Sequence, residues 1–281
     1  MARHLYCLTM SRFHNATRTS RSIPQKLIQE GKFHLLPVYY LLRTSALARE
    51  GIERSGSYHF ADHIYANRAT GIFLVGKLLD RLLLSLPSAR SFRARYVHAK
   101  REIHSVVAQA DHDEPIDILA VPCGLARECF EVADELYLTD HPSHGRIRWH
   151  GLDLDERLVA HLRQRSGENV HAMSFLSGDA FDEQAYGAGH DLIISMGFTE
   201  FLTDEETVRF FRMVSKKLKP GGRFYTTSMQ PHVFSDYLMR QFAELHTHYR
   251  SEPLLRQLAE EAGFLQLRTH QDGLQTILVA S

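Results

Sequence analysis

The amino-acid sequence predicts an α/β protein in which a helical N-terminal region precedes a mostly parallel β-sheet that ends in an antiparallel hairpin. Helical periodicity without strand-like alternation occupies the chain before residue 115. After it, short apolar segments alternate with helical patterns of ten or more residues, which is typical of a parallel sheet. The last two apolar segments are separated only by residues 271–273, and only antiparallel strands can be joined so closely.

The helical region is predicted to span residues 24–110, after a flexible basic leader at 1–23. Pro24 is expected to open a short helix that ends near Glu30. The remaining helical patterns of this region cover 35–55, 71–86 and 89–110.

The second domain is predicted to span residues 111–281, because a polar linker at 111–115 precedes the change of pattern. Its expected strands are 116–121, 147–154, 170–176, 192–196, 222–228, 265–270 and 276–280. Its expected helices are 126–136, 156–165, 204–218, 233–246 and 253–263.

The overall composition is that of an ordinary globular protein, with 44% hydrophobic and 23% charged residues in 281. The net charge is zero, but residues 1–110 carry 17 Lys and Arg against 6 Asp and Glu. Attraction between the two parts of the chain explains this asymmetry, and an anionic ligand of the basic part is the alternative.

Three cysteines without a C-x-x-C pair favour a reducing compartment, and we predict a cytoplasmic location. The 18 histidines lack H-E-x-x-H or comparable ligand spacing, so no metal site is predicted. No signal peptide is visible, and the Arg-rich and Ser-rich leader is either a transit peptide or a solvated basic tail. The most apolar stretch, 71–86, contains Lys77, Asp80 and Arg81, so we predict an amphipathic helix and no membrane span.

The residues that follow each strand are the candidate ligand-binding residues, because open α/β sheets bind ligands beyond the carboxyl ends of their strands. The loop Pro122-Cys123-Gly124 leads from the first strand into a helix, whose free N–H groups suit a nucleotide-like ligand. Asp153 ends the second strand, where an acid can accept hydrogen bonds from a ribose diol. Asp155 is expected to cap the next helix, and Asp179 provides a second acid after the third strand.

The order of V-P-C-G, G-L-D-L-D, S-G-D-A-F-D, D-L-I-I-S and L-K-P-G-G resembles class I S-adenosylmethionine (SAM)-dependent methyltransferases over residues 116–281. The resemblance implies a Rossmann-like sheet, methyl transfer and SAM as cofactor. It places the first loop at the methionine part of SAM, Asp153 at the ribose and Asp179 at the adenine. The residues implied in cofactor binding are Pro122, Cys123, Gly124, Asp153, Leu154, Asp179, Ala180, Ser195 and Met196.

The first loop departs from the pattern of that family at three positions. Ala120 stands where an acid is usual, and Pro122 and Ala126 replace the first and last glycines. Gly124 keeps the position at which the backbone must approach the ligand most closely.

A narrower resemblance covers most of the chain. It joins D-H-I-Y-A-N at 62–67, G-K-L-L-D-R at 76–81, R-A-R at 93–95, G-F-T-E-F at 197–201 and Q-P-H at 230–232. These segments resemble a methyltransferase group with a helical leader, some of whose members are fused to an α/β-hydrolase. The acceptor is left open by this resemblance.

Glu200, after the fourth strand, is the first candidate for a general base, and His232, after the fifth, is the second. Glu200 alternatively orients its loop or caps the helix near Asp204, and His232 alternatively lies in a surface turn. Arg93 and Arg95 either meet an anionic substrate or the SAM carboxylate, or belong to a solvated helix face. The candidate acceptor-binding residues are Tyr58, His63, Tyr65 and Gln230. For the two tyrosines and the histidine, a core or surface role is the alternative.

The sequence therefore predicts methyl transfer to an oxygen or nitrogen atom of a small-molecule acceptor, with SAM on the sheet domain and the acceptor under the helical region. A nucleic-acid methyltransferase is a second hypothesis, since the N-terminal region is basic. Against it, Ser195-Met196-Gly197 stands where an Asn/Asp-Pro-Pro-aromatic motif is expected. An enzyme that uses SAM without methyl transfer and a scaffold without activity are also compatible with the sequence. No membrane partner is predicted, and the oligomeric state is left open.

Overall fold

The computed structural model describes residues 22–54, 57–111, 114–168, 171 and 173–281. Of the predicted leader, residues 1–21 lie outside this part of the chain, and residues 22 and 23 begin the first helix. The chain divides into two compact units. The first comprises the residues up to Arg93 together with Pro231–His246, and the second comprises Ala94–Gln230 together with Thr247–Ser281.

Helices form the N-terminal part of the described chain, as predicted. Pro87 is the first residue of the longest helix, a position that suits proline because the N–H it lacks has no partner within the helix. The elements are α1 (Ser22–Gln29), a 3₁₀ turn (Phe33–Leu35), α2 (Leu36–Leu42), α3 (Ala46–Glu53), α4 (Tyr58–Ala66), α5 (Phe73–Ser85) and α6 (Pro87–Gln109).

The sequence predicted one helical segment over 35–55, but the structure has two separate helices there, α2 and α3. Ser45 has extended backbone and caps α3 by accepting a hydrogen bond from the Ala48 N–H. The Ser45 hydroxyl also donates to Asp80 at 2.5 Å. The break between α2 and α3 therefore depends on Asp80, which the periodicity of the segment does not include.

Asp80, on α5, is fully buried and joins three segments of the first unit. Besides Ser45, its carboxylate accepts hydrogen bonds from the backbone N–H groups of Leu47, Thr70 and Gly71. A hydrophobic cluster in the same unit packs α1, α2 and α3 with Phe242 from the C-terminal segment. The buried Asp80 carboxylate thus provides the hydrogen bonds that these backbone N–H groups would otherwise make to water.

The second unit contains a seven-stranded sheet with the order β3-β2-β1-β4-β5-β7-β6. The first five strands are parallel, and β7 runs antiparallel to both β5 and β6, so the predicted fold class is confirmed. The strands are β1 (Ile116–Ala120), β2 (Ile147–Asp153), β3 (Met173–Ser177), β4 (His190–Ser195), β5 (Leu218–Met229), β6 (Leu267–Asp272) and β7 (Gln275–Ala280).

Helices follow these strands in the predicted order. Phe224 of β5 contacts Phe211, on one helix, at 5.2 Å and Phe264, just after the end of another helix, at 5.8 Å between ring centroids. These rings belong to one buried hydrophobic cluster. The helices are α7 (Arg127–Leu138), α8 (Glu156–Gly167), α9 (Asp204–Ser215), α10 (Val233–Leu238) and α11 (Glu252–Glu261).

Two predicted boundaries at the C-terminal end are wrong. The hairpin turn is Gly273–Leu274 and not 271–273, because Asp272 still pairs with Gln275. The helix predicted over 233–246 is α-helical only to Leu238, and a π-helical turn over Met239–Ala243 follows. Glu244 then adopts a left-handed backbone, with φ +47°, which ends the helical segment.

Candidate functional site

The first loop lies at the carboxyl edge of the sheet, tied to the strands on both sides. The Val121 N–H donates to the Ile194 carbonyl at 2.8 Å, and the Cys123 N–H donates to the Leu152 carbonyl at 2.9 Å. Gly124 and Ala126 have φ values of +48° and +46°, so the chain turns through left-handed backbone just before α7. The first N–H groups of α7 therefore follow a loop that hydrogen bonds to β2 and β4 hold in place.

Asp153 connects the second strand to this loop. One carboxylate oxygen, Oδ2, accepts the Gly124 N–H at 3.0 Å, and Oδ1 accepts the Asp155 N–H at 3.1 Å. Burial raises the pKa of Asp153, although these backbone hydrogen bonds act to lower it. The side chain stays half-buried, so each oxygen keeps capacity for a further hydrogen bond.

Asp155 caps the helix that follows β2, as predicted. Its Oδ1 accepts hydrogen bonds from the backbone N–H groups of Arg157 and Leu158, and so caps α8. The geometry therefore distinguishes two acids that are two residues apart: Asp153 faces the loop and Asp155 serves the helix.

The other residues predicted to bind the cofactor follow β2, β3 and β4. Leu154 and Met196 are half-buried. Asp179 is also half-buried and accepts the Phe181 N–H at 2.9 Å, and Ala180 beside it is buried. Ser195 is fully buried, and its hydroxyl has no hydrogen-bond partner among the described residues.

These residues fit a nucleoside with a ribose diol. The fit rests on the half-buried Asp153 carboxylate next to the loop, since both of its oxygens point to backbone donors at that edge and can accept further hydrogen bonds. The first loop also packs closely on β2, since a Cβ on Gly151 would lie 3.1 Å from the Cys123 sulfur. The residues that would hold SAM are therefore together at one edge of the sheet.

Glu200 lies in a 3₁₀ turn after β4, and 3% of its surface is exposed. Burial raises the pKa of its carboxyl, while the charges of Arg95 and Arg250 and a hydrogen bond from the Met229 backbone act to lower it. Oε1 lies 3.7 Å from Nη1 of Arg95 and has no hydrogen-bond partner among the described residues.

Glu200 does not cap the following helix, although the sequence left that role open. Thr203 is the N-cap of α9, and it forms a capping box with Glu206. The turn that carries Glu200 is instead held by Arg250, which donates to the carbonyls of Thr199 and Leu202, both at 2.6 Å. Arg250 is 1% exposed and also donates to Asp204.

Arg95 is buried, so the interpretation of its segment as a solvated helix face is wrong for this residue. Its guanidinium packs against Gly197, where an added Cβ would lie 2.6 Å from Nη1. Arg93, in contrast, is half-buried and donates to the Leu84 carbonyl at 2.9 Å. Because Gly197 has no side chain, the buried guanidinium of Arg95 can lie against the loop after β4.

Glu128 is a buried acid that sequence analysis missed. It lies in the first turn of α7, and burial raises its pKa to about 7, against the lowering effect of its own backbone N–H and of Arg95. Arg250 was missed as well. Glu128 shares its helix face with the buried residues Val132 and Leu136, four and eight positions later, and this spacing is the signal in the sequence that could have indicated its burial.

The residues predicted to bind the acceptor lie in different units. Tyr58, His63 and Tyr65 are on α4 of the first unit, partly buried, and His63 Nε2 lies 3.0 Å from the Arg68 carbonyl. His232, also in the first unit, caps α10 through its Nδ1, which accepts the Ser235 backbone N–H at 3.3 Å. Gln230, in the second unit, donates to the Arg250 carbonyl and to Thr276. Their roles toward an acceptor stay predictions.

The strand order, the first loop and the acids after β2 and β3 together define the fold of SAM-dependent methyltransferases. Residues 32–280 match the model of the family described as "Putative methyltransferase". Because the match covers most of the chain, the protein belongs to this methyltransferase family. The predicted class, a SAM-dependent methyltransferase with SAM as its cofactor, is therefore confirmed.

Solved structures show the same fold. A possible exported protein from Bordetella parapertussis matches with a TM-score of 0.73 and 17% identity, over 97% of this chain and 96% of that one. The methyltransferase SibL in its apo form matches with a TM-score of 0.53 and 17% identity, over 92% and 76%. Magnesium protoporphyrin IX methyltransferase from Synechocystis PCC 6803 with bound SAH matches with a TM-score of 0.51 and 14% identity, over 69% and 86%. At these identities the similarity concerns the fold alone.

No curated protein matches the chain. Among the described residues, every helix is too short or too polar to cross a membrane, as the amphipathic pattern of 71–86 predicted.

Proposed function

We propose that the chain transfers a methyl group from SAM to an oxygen or nitrogen atom of a small-molecule acceptor. The observation that carries the proposal is the hydrogen bond from Gly124 to Asp153, because it joins the first loop to the acid that is expected at the ribose. Asp179 and Ala180 are assigned to the adenine, and Ser195 offers a buried hydroxyl at the end of β4.

SAM supplies an electrophilic methyl group on a sulfonium centre, and its transfer is an in-line displacement. The protein therefore has to position the acceptor atom and exclude water rather than activate the donor. Glu200 is the base we assign to an acceptor hydroxyl or amine, because a buried carboxyl with a raised pKa holds a proton more readily than an exposed one. Arg95 beside it keeps part of the charged form available and gives an anionic acceptor a buried positive group.

A cytoplasmic location and a small molecule, rather than a nucleic acid, belong to the same proposal. The cysteine pattern favours a reducing compartment, and the loop after β4 lacks the Asn/Asp-Pro-Pro-aromatic motif. RNA or DNA binding that rises steeply as salt falls would favour the nucleic-acid hypothesis.

Calorimetry of the full chain with SAM, and with its demethylated product S-adenosylhomocysteine, tests the donor site. Asp153→Ala is expected to weaken SAM binding by on the order of 1–3 kcal/mol, because it removes hydrogen bonds to a carboxylate. Asp155→Ala is the matched control, since it removes the cap of α8 without touching the loop, and its SAM affinity should equal that of the wild type. Equal effects of the two variants would show that Asp153 does not face the ribose.

Turnover is measured as the formation of S-adenosylhomocysteine with panels of hydroxyl, amine and carboxylate-bearing acceptors. Transfer to one of these acceptors supports the proposal. A folded chain that binds neither SAM nor its product is instead a scaffold without donor binding.

A further inference from the structure

Three metal-ligating side chains come together on the second unit, outside the residues assigned to SAM. His98 lies on α6, and His270 and Asp272 lie on β6. One ligand atom from each lies within 4.8 Å of the other two. His98 Nε2 is 3.0 Å from Oδ2 of Asp272, and the rings of the two histidines are 5.0 Å apart.

The placement follows from the sheet. His270 and Asp272 are two residues apart on β6, and side chains two residues apart leave the same face of a strand. On that face the Ala94–Gln109 part of α6 packs against the sheet, since the Tyr225 hydroxyl of β5 donates to the Arg95 carbonyl at 2.7 Å. His98 follows Arg95 by about one helical turn and so projects from the same side of α6.

The helix α6 and the sheet are also held together one helical turn further along α6. Glu102, one turn after His98, accepts hydrogen bonds from Arg223 of β5 at 2.8 Å and from Arg268 of β6 at 3.3 Å. Arg268 thus meets the turn of α6 that carries Glu102, and His270 and Asp272 both meet the turn that carries His98. The three ligands are carried by elements that are fixed to each other, and little ordering is needed to bring them onto one ion.

We propose that His98, His270 and Asp272 form a binding site for a divalent transition-metal ion of the zinc class. Two imidazoles and a carboxylate are the ligands that Zn²⁺ and its neighbours prefer, and three protein ligands leave positions for water. Ligand atoms around tetrahedral zinc are about 3.3 Å apart, given bonds of about 2.0–2.2 Å. The spacing of His98 and Asp272 is already close to this value.

The side chain of His98 is 19% exposed and that of Asp272 is 46% exposed, so an ion can enter from solvent. The sequence predicted no metal site because these ligands form no short motif: His98 and His270 are 172 residues apart, and His270 and Asp272 are 2 residues apart. Because β6 and β5 are both antiparallel to β7, they run parallel, and Asp272 lies at the carboxyl edge of the sheet. A bound ion would join α6 to β6 about one helical turn from Arg95.

Titration of the EDTA-treated full chain with Co²⁺, followed by visible absorption, tests the proposal. The wild type should bind one equivalent that Zn²⁺ displaces, and His270→Gln and Asp272→Asn should each weaken that equivalent at least about tenfold. His104→Gln is the matched control: His104 is on the same helix, and its Nε2 lies 3.0 Å from the Glu135 carboxylate, away from the three proposed ligands. It should bind Co²⁺ as the wild type does.

Thermal unfolding with and without Zn²⁺ provides a second measurement on the same four proteins. Zn²⁺ should raise the midpoint of the wild type and of His104→Gln, but not that of the two ligand variants, because only a site in the folded state stabilises it. Circular dichroism establishes that each variant is folded before titration. Equal Co²⁺ stoichiometry and affinity in all four proteins would overturn the proposal, and so would loss of the same equivalent in the control.

Discussion

Replacing Glu128 by glutamine is expected to make the protein more stable at neutral and alkaline pH. Glu128 is fully enclosed in the first turn of α7, and burial raises its pKa from 4.5 to about 7. Each pKa unit corresponds to about 1.4 kcal/mol, so ionised Glu128 costs the folded state about 3 kcal/mol. A neutral glutamine of nearly the same shape does not carry this cost.

The sign follows from proton binding. Because the pKa of Glu128 is higher in the folded state, the folded state binds more protons than the unfolded state between about pH 4.5 and 7. The free energy of unfolding of the wild type should therefore fall as pH rises through this window, and Glu128→Gln should lack that fall. The two proteins should differ by about 3 kcal/mol at pH 8 and converge below pH 4.5.

Urea unfolding followed by circular dichroism at pH 4.5, 6, 7 and 8, values chosen to span about that window, measures the difference by linear extrapolation. Glu131→Gln is the matched control one turn later, since burial raises the pKa of Glu131 but hydrogen bonds from Tyr96 and Lys100 leave it lowered. That variant should lose stability at pH 8 instead of gaining it. Parallel pH profiles for the wild type and Glu128→Gln would refute the reasoning, because a buried carboxyl with a raised pKa requires them to diverge.

Three further predictions concern other parts of the chain. Asp80→Ala should lower the free energy of unfolding by at least about 3 kcal/mol in urea, because it leaves three backbone donors and one hydroxyl of the first unit unpaired. Glu200→Gln should abolish formation of S-adenosylhomocysteine while calorimetry shows unchanged SAM affinity, and normal turnover would remove Glu200 as the base. Gly151→Ala should cost about 1–3 kcal/mol and lower the thermal midpoint, because its Cβ would lie 2.4 Å from the Phe175 ring; an unchanged midpoint would mean that the ring moves freely.

The order of helices and strands was predictable from the sequence, because periodicity and punctuation act locally. The alternation after residue 115 gave all seven strands, and residues 271–273 indicated the antiparallel end. The boundaries were less accurate where a distant residue decides them. Ser45 begins α3 with its hydroxyl on Asp80, which is 35 residues away and belongs to another helix.

The sequence named Asp153 and Asp179 as the candidate acids of the donor site, and their assignment to SAM stays a prediction. Parallel strands place their carboxyl ends at one edge, so the residues after each strand are the candidates before any coordinates exist. The sequence also separated the roles of Asp153 and Asp155, and the capping bonds of Asp155 agree with that separation. Which oxygen of Asp153 meets Gly124 depends on how β1 and β2 pair, and only the structure shows it.

The sequence by itself thus determined the class of fold, the family and the edge of the sheet at which the chemistry is expected. The tertiary structure alone decided which charges are buried: Arg95 beside Glu200, Arg250 beneath the same turn, and Glu128 in the first turn of α7. The reason is physical. Helices and strands form from patterns within about ten residues, whereas burial, pKa and ligand geometry depend on which distant elements pack together.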